Sequence, residues 1–237
     1  MPPPLNPLGR SDNTLEELAQ MLALSARVGE RLNRKLAQED GEDEFSYANT
    51  LLCLSAEVLG AFSFLVEAHR RKQVQHAAWA ARNLLELSIW CEYCIQSESN
   101  ARMFFCDKAR DALGLVEAFE GLVAGGSNDA IDTAAASAKA TFNTFFTAQS
   151  VEMDAEFKRV HKAAKDLGVV QERAFRYLNI VLSKFVHPTA LIVNSAMDDA
   201  QKSGLVEMSY LLGRTLASAS MEALEKIATS LADAEPC

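Results

Sequence analysis

"AWAARNLLELSIWCEY", residues 78–93, decides how this chain is read. It contains neither Gly nor Pro, does not alternate between apolar and polar residues, and is apolar nearly all the way round, so it reads as a helix enclosed by protein. Its charges are the exception. Residues 77–95 hold only Arg82, Glu86 and Glu92. At 3.6 residues per turn, Trp79, Arg82, Glu86 and Trp90 or Tyr93 share one face, while Ala81, Leu84, Leu85 and Ile95 form the other. An unpaired buried charge costs several kcal/mol, and an i,i+4 Arg–Glu pair is the minimal remedy. On a surface such a pair contributes only about 0.3–0.5 kcal/mol. Stability is therefore a weak reason to hold Arg82 and Glu86 there, which leaves packing specificity or a functional site.

The rest of the chain repeats the helical pattern. A capping box, Thr14 as N-cap with Glu17 three residues on, opens a stripe of Leu15, Leu18, Leu22, Ala26, Val28, Leu32 and Leu36 that "EDGEDE" (39–44) ends. Further helices are expected over about 45–71, 74–96, 99–124, 128–149, 152–166, 170–186 and 204–232, with a new segment starting at Pro188. The helix at 128–149, rich in Ala, Ser and Thr, should pack at close range or loosely. No stretch alternates with period two, and no repeat of fixed period appears. These features predict an all-α fold: a mostly antiparallel bundle of about seven to nine helices. Residues 1–13, with four prolines among the first ten, form an irregular arm, 14–232 a single helical domain, and 233–237 a short tail.

Composition narrows the function classes. The chain has 237 residues, 49% hydrophobic and 23% charged, with a net charge of −9. That balance excludes a nonspecific nucleic-acid coat protein, which needs a basic face. Locally basic runs remain at 69–72 ("HRRK") and 158–165 ("KRVHKAAK"). Their default is a solvated helix face. The alternative is local contact with RNA, for which Lys158, Arg159, His161 and Lys162 are the candidates. The closest approach to a membrane span, 51–68, is interrupted by Glu57 and Glu67 and reads as a core helix. With no signal-peptide pattern and an odd count of five cysteines, the expected compartment is the cytoplasm, with no membrane partner.

Metal and cofactor sites find little support. Cys91-Glu-Tyr-Cys94 lies deep in a helix rather than at a turn or helix N-terminus, and no second such motif follows. His69 and His76 bracket a helix end without further ligands. Glu-x-x-His, which a di-iron bundle requires, does not occur, nor does a Gly-rich phosphate loop. No cofactor and no metal are expected. The remaining chemical group is His187, within "YLNIVLSKFVHPTALIVNSAM" (177–197), which has no acidic residue. Its default is a hydrogen-bonded core histidine. If the helix at 170–186 lies beside that at 74–96, however, His187 can meet Arg82 and Glu86 as an acid–base group with an orienting carboxylate and an anion-stabilising guanidinium.

Arg82-Asn83-Leu84-Leu85-Glu86, followed a hundred residues later by Phe185-Val186-His187-Pro188-Thr189, resembles a group of bacterial all-helical proteins that constitute a domain of unknown function. The resemblance covers roughly residues 45–200. More remotely, the pattern is similar to the HEPN superfamily: helical bundles, often dimeric, many of them metal-independent ribonucleases of toxin–antitoxin and defence systems. Arg82-Asn83 matches the opening of their motif, but the His that should follow shortly is absent, since 87–89 are Leu, Ser and Ile. The resemblance implies RNA or a nucleotide as substrate, an antitoxin as protein partner, and a homodimer. On this reading the catalytic set is Arg82, Asn83, Glu86 and His187, with His187 assigned the missing role from its chemistry. The alternative is a non-catalytic interaction or small-ligand-binding module in which Arg82, Glu86 and His187 form an internal structural network.

Overall fold

A computed structural model describes residues 13–39, 45–123, 129–148, 159–187 and 197–233. These residues form α1 (Thr14–Leu36), α2 (Tyr47–Arg70), α3 (Val74–Gln96), α4 (Glu98–Val123), α5 (Asp129–Ala148), α6 (Val160–Leu167), α7 (Val169–Val186) and α8 (Asp199–Asp233). No strand occurs among them. The all-α bundle expected from the helical periodicity is what the chain forms. The segment after Pro188 and residues 152–158 of the expected short helix lie outside the described residues.

The core is built from α1, α2, α3 and α8, with α7 laid against α3. Val28 and Leu32 of α1, Leu51, Val58 and Leu65 of α2, and Met221 and Leu224 of α8 are all fully buried. By length and composition α2 could cross a membrane, yet Leu51, Leu54, Val58, Phe62, Leu65 and Val66 along it are buried in this core. Gly213 lets α8 approach closely: a Cβ there would collide with Leu65 and lie 3.4 Å from Ala81 Cα. Farther out, α5 rests on α4 through Phe145 and Phe105, 5.7 Å apart, with Lys108 Nζ 3.5 Å from the Phe105 ring centre.

Local chemistry explains the helix ends, and two differ from expectation. Thr14 is the first residue of α1 rather than its cap; Asn13 precedes it. The Glu17 carboxylate, expected in a capping box, instead accepts hydrogen bonds from Tyr210 and Arg214 of α8. A cross-helix contact thus takes the group that local spacing assigned to the helix start. The last helix begins at Asp199, five residues before its expected start, where the Asp198 side chain accepts from the Gln201 amide at 2.8 Å. That acceptor satisfies an otherwise orphaned N–H.

The α2–α3 turn contains no glycine. Lys72 adopts φ +53° there. The Gln73 amide donates to Ala68 O at 2.9 Å and the Lys72 amide to His69 O at 3.0 Å. This is the Schellman pattern, with lysine where glycine is usual. Between α6 and α7, Gly168 has φ +127° and ψ 172°, a region essentially reserved for glycine.

A candidate ligand groove between helices two and three

Positions 57, 60, 61 and 64 fall on one face of α2, and 79, 83, 86, 87 and 90 on one face of α3. Side by side, these faces enclose a groove of about 570 Å³, lined by Glu57, Gly60, Ala61 and Phe64 from α2 and by Trp79, Asn83, Glu86, Leu87 and Trp90 from α3. That size lies within the usual range for ligand pockets. Gly60 and Ala61 withhold side-chain volume, and a Cβ on Gly60 would meet nothing within 4 Å. Phe64 and Trp79 form its aromatic walls, with ring centres 5.4 Å apart and planes at 83°. Both are substantially exposed, at 38% and 46%. The third helix is therefore enclosed on most sides but open along this face, contrary to its apolar-all-round appearance.

Glu86 and Trp90 also line a second cavity of about 560 Å³ toward α4 and the start of α6, with Lys108, Asp111 and Arg159 on its walls. Burial pushes the Asp111 carboxyl above its usual value. Trp90 is braced there by Phe104, ring centre to ring centre 4.8 Å.

Arg82 does not line the first groove but pairs with Glu86, which does. Its Nη2 lies 3.3 Å from Glu86 Oε1, the expected i,i+4 pair, with side chains 29% and 35% exposed. Its Nε donates to Asn179 Oδ1 of α7 at 3.0 Å. Gln171 Nε2 donates to Glu92 Oε1 at 3.0 Å. These two clips pair 82 with 179 and 92 with 171, so α7 runs antiparallel to α3. His187 follows Asn179 by eight residues, about 12 Å along the axis at 1.5 Å per residue, in the direction away from Glu86. It is exposed at the C-terminal cap of α7. The expected neighbourhood of α7 and α3 is present, but Asn179, not His187, meets Arg82. No hydrogen bond or ion pair joins His187 to Arg82 or Glu86 among the described residues.

Of the other candidates, Asn83 lines the first groove with Glu86. Arg159 lines the second cavity, His161 is exposed, Lys162 is half-buried, and Lys158 lies outside the described residues. His69 pairs with Glu207 at 2.8 Å, and His76 packs edge-on to Phe64. Cys91 and Cys94 are buried, and burial raises both thiols, Cys91 to about 12. Among the described residues no group of three or more His, Cys, Asp or Glu is placed to hold a metal.

Sequence reasoning missed Glu57, Phe64 and Asn179. The first two carried a signal: Glu57, Gly60, Ala61 and Phe64 repeat at helical spacing with small residues in the middle, the pattern of a face that leaves room. Asn179 carried none, because its role depends on the register of α7 against α3. Comparison with protein-family models, with curated proteins and with solved structures finds no match.

Proposed function

We propose that this chain is a non-catalytic helical ligand-binding module, with the α2/α3 groove as its binding site and the Arg82–Glu86–Asn179 network as the scaffold behind it. The observation that carries this reading is the composition of the groove: exposed aromatic walls, small residues at the floor, and a few polar groups at fixed positions, which is how small-molecule sites are built. The ribonuclease reading assigns the acid–base role to His187, which would have to lie within hydrogen-bond reach or one water of Arg82; the α7 residue that bonds Arg82 is Asn179, and an amide has no proton to exchange near neutral pH.

A thermal-shift screen of the full chain against a panel of cationic, neutral and anionic small molecules tests the proposal, with Gly60→Leu as the control. A leucine at 60 grows into open space and blocks the groove. A hit that raises Tm in the parent chain and loses its effect in Gly60→Leu supports the reading. A panel without hits, or hits indifferent to Gly60→Leu, refutes it. So does RNA cleavage that folded His187→Ala abolishes.

A further inference from the structure

We propose that the ligand of the α2/α3 groove is a small organic cation, an alkylated ammonium ion seated against Trp79 and Phe64 with the Glu57 carboxylate as its counter-charge. The inference rests on reading the groove as a ligand site and adds the class of ligand.

Three observations converge on this chemistry. The lining contains two carboxylates, Glu57 and Glu86, and no Lys, Arg or His. Glu86 already has Arg82 beside it, whereas Glu57 has no ion-pair partner among the described residues. A bound anion would face unopposed negative charge, and a neutral ligand would desolvate Glu57 with nothing in return. Second, the perpendicular Phe64 and Trp79 rings offer two walls of an aromatic corner, and the negative faces of such rings attract a cation within about 6 Å of the ring centre. Third, the groove floor is apolar, formed by Gly60, Ala61 and Leu87. A metal ion or bare ammonium would give up strong hydration there, while an alkylated ammonium spreads its charge over methyl or ethyl groups that such a floor accepts.

The chain reports on this site by itself, because its two tryptophans, Trp79 and Trp90, both line the groove. Intrinsic fluorescence of the full chain is titrated with choline chloride, with sodium chloride at matched ionic strength, and with the neutral alcohol in which carbon replaces choline's quaternary nitrogen. The expected result is a saturable change with choline alone. Glu57→Gln and Trp79→Leu should each weaken binding about 2- to 30-fold, the range a cation–π or single-charge contact supplies, with Trp90 remaining as reporter. Trp79→Phe should retain most of the affinity. Unchanged far-UV circular dichroism checks that these exposed substitutions leave the fold intact. Equal binding of the alcohol and of choline overturns the cation class while leaving the groove as a ligand site. Choline binding unaffected by Glu57→Gln and Trp79→Leu, or no saturable response to choline, overturns the proposal outright. The groove itself stands or falls separately, on the panel and Gly60→Leu.

Discussion

Two glycines in the middle of long helices make opposite predictions for the same substitution. Gly to Ala in a helix interior gains about 1 kcal/mol of propensity. At Gly60 the added Cβ meets nothing within 4 Å, so Gly60→Ala should stabilise by about that amount. At Gly213 the same atom collides with Leu65 Cδ2 and lies 3.1 Å from Leu84 Cδ1. Unstrained carbon atoms sit about 3.5–4.0 Å apart. Leu65 is 0% exposed and Leu84 1%, so neither has free volume to turn into. Overpacking of this kind costs about 1–3 kcal/mol. The propensity gain is common to both sites, so the difference between the two variants isolates that cost. Gly213→Ala should therefore be about 1–3 kcal/mol less stable than Gly60→Ala, roughly 2–12 °C in Tm for a chain of this size. Urea denaturation measures both. Adding Leu65→Ala costs about 2–5 kcal/mol by itself, but in that background Gly213→Ala should become stabilising. Equal effects at 60 and 213, or no coupling between 213 and 65, would refute the close approach of α8 to α2.

Other perturbations test other parts of the bundle. Lys72→Gly relieves a left-handed lysine and should stabilise by about 1 kcal/mol in the same denaturation assay; a loss would mean that the turn is not the Schellman pattern described. In a Cys237→Ser background, a thiol reagent should label Cys53 quickly in the native protein and Cys91, Cys94 and Cys106 only after denaturation, since only Cys53 of these four is exposed; rapid native labelling of Cys91 or Cys94 would contradict their burial. Hydrogen bonds from Arg27 and Arg31 hold the Glu225 carboxyl below its usual value. Its stabilisation is therefore present above the unfolded carboxylate value of about 4.3 and is lost as pH falls through the folded one. Glu225→Gln should cost under about 1 kcal/mol at neutral pH and flatten the fall in stability below about pH 4.5; an unchanged acid profile would remove the α1–α8 ion pairs from the account.

The acid response separates local from tertiary determination. Arg27, Arg31 and Glu225 are plain charged residues on amphipathic stripes; only the packing of α1 on α8 makes Glu225 the shared acceptor for both guanidinium groups, at 2.7 and 3.2 Å. Glu17 is the same lesson at a helix end, where a group spaced for a local cap is taken by Tyr210 and Arg214 nearly two hundred residues away.

What the amino-acid sequence determined by itself was whatever depends on neighbours within a turn or two. Helical periodicity, the absence of alternation, and breakers such as "EDGEDE" set the all-α class and the limits of α3 and α7 closely. The Arg82–Glu86 pair belongs here too, because i,i+4 spacing on a helix brings side chains together whatever surrounds them. Tertiary structure decided what depends on register between helices. A shift of one turn in α7 against α3 changes which residue meets Arg82, and nothing local distinguishes Asn179 from His187 for that place. The groove is likewise a property of two facing surfaces: Gly60 and Ala61 open it only because Trp79 and Glu86 lie opposite, at a distance that the packing of α2 on α3 sets.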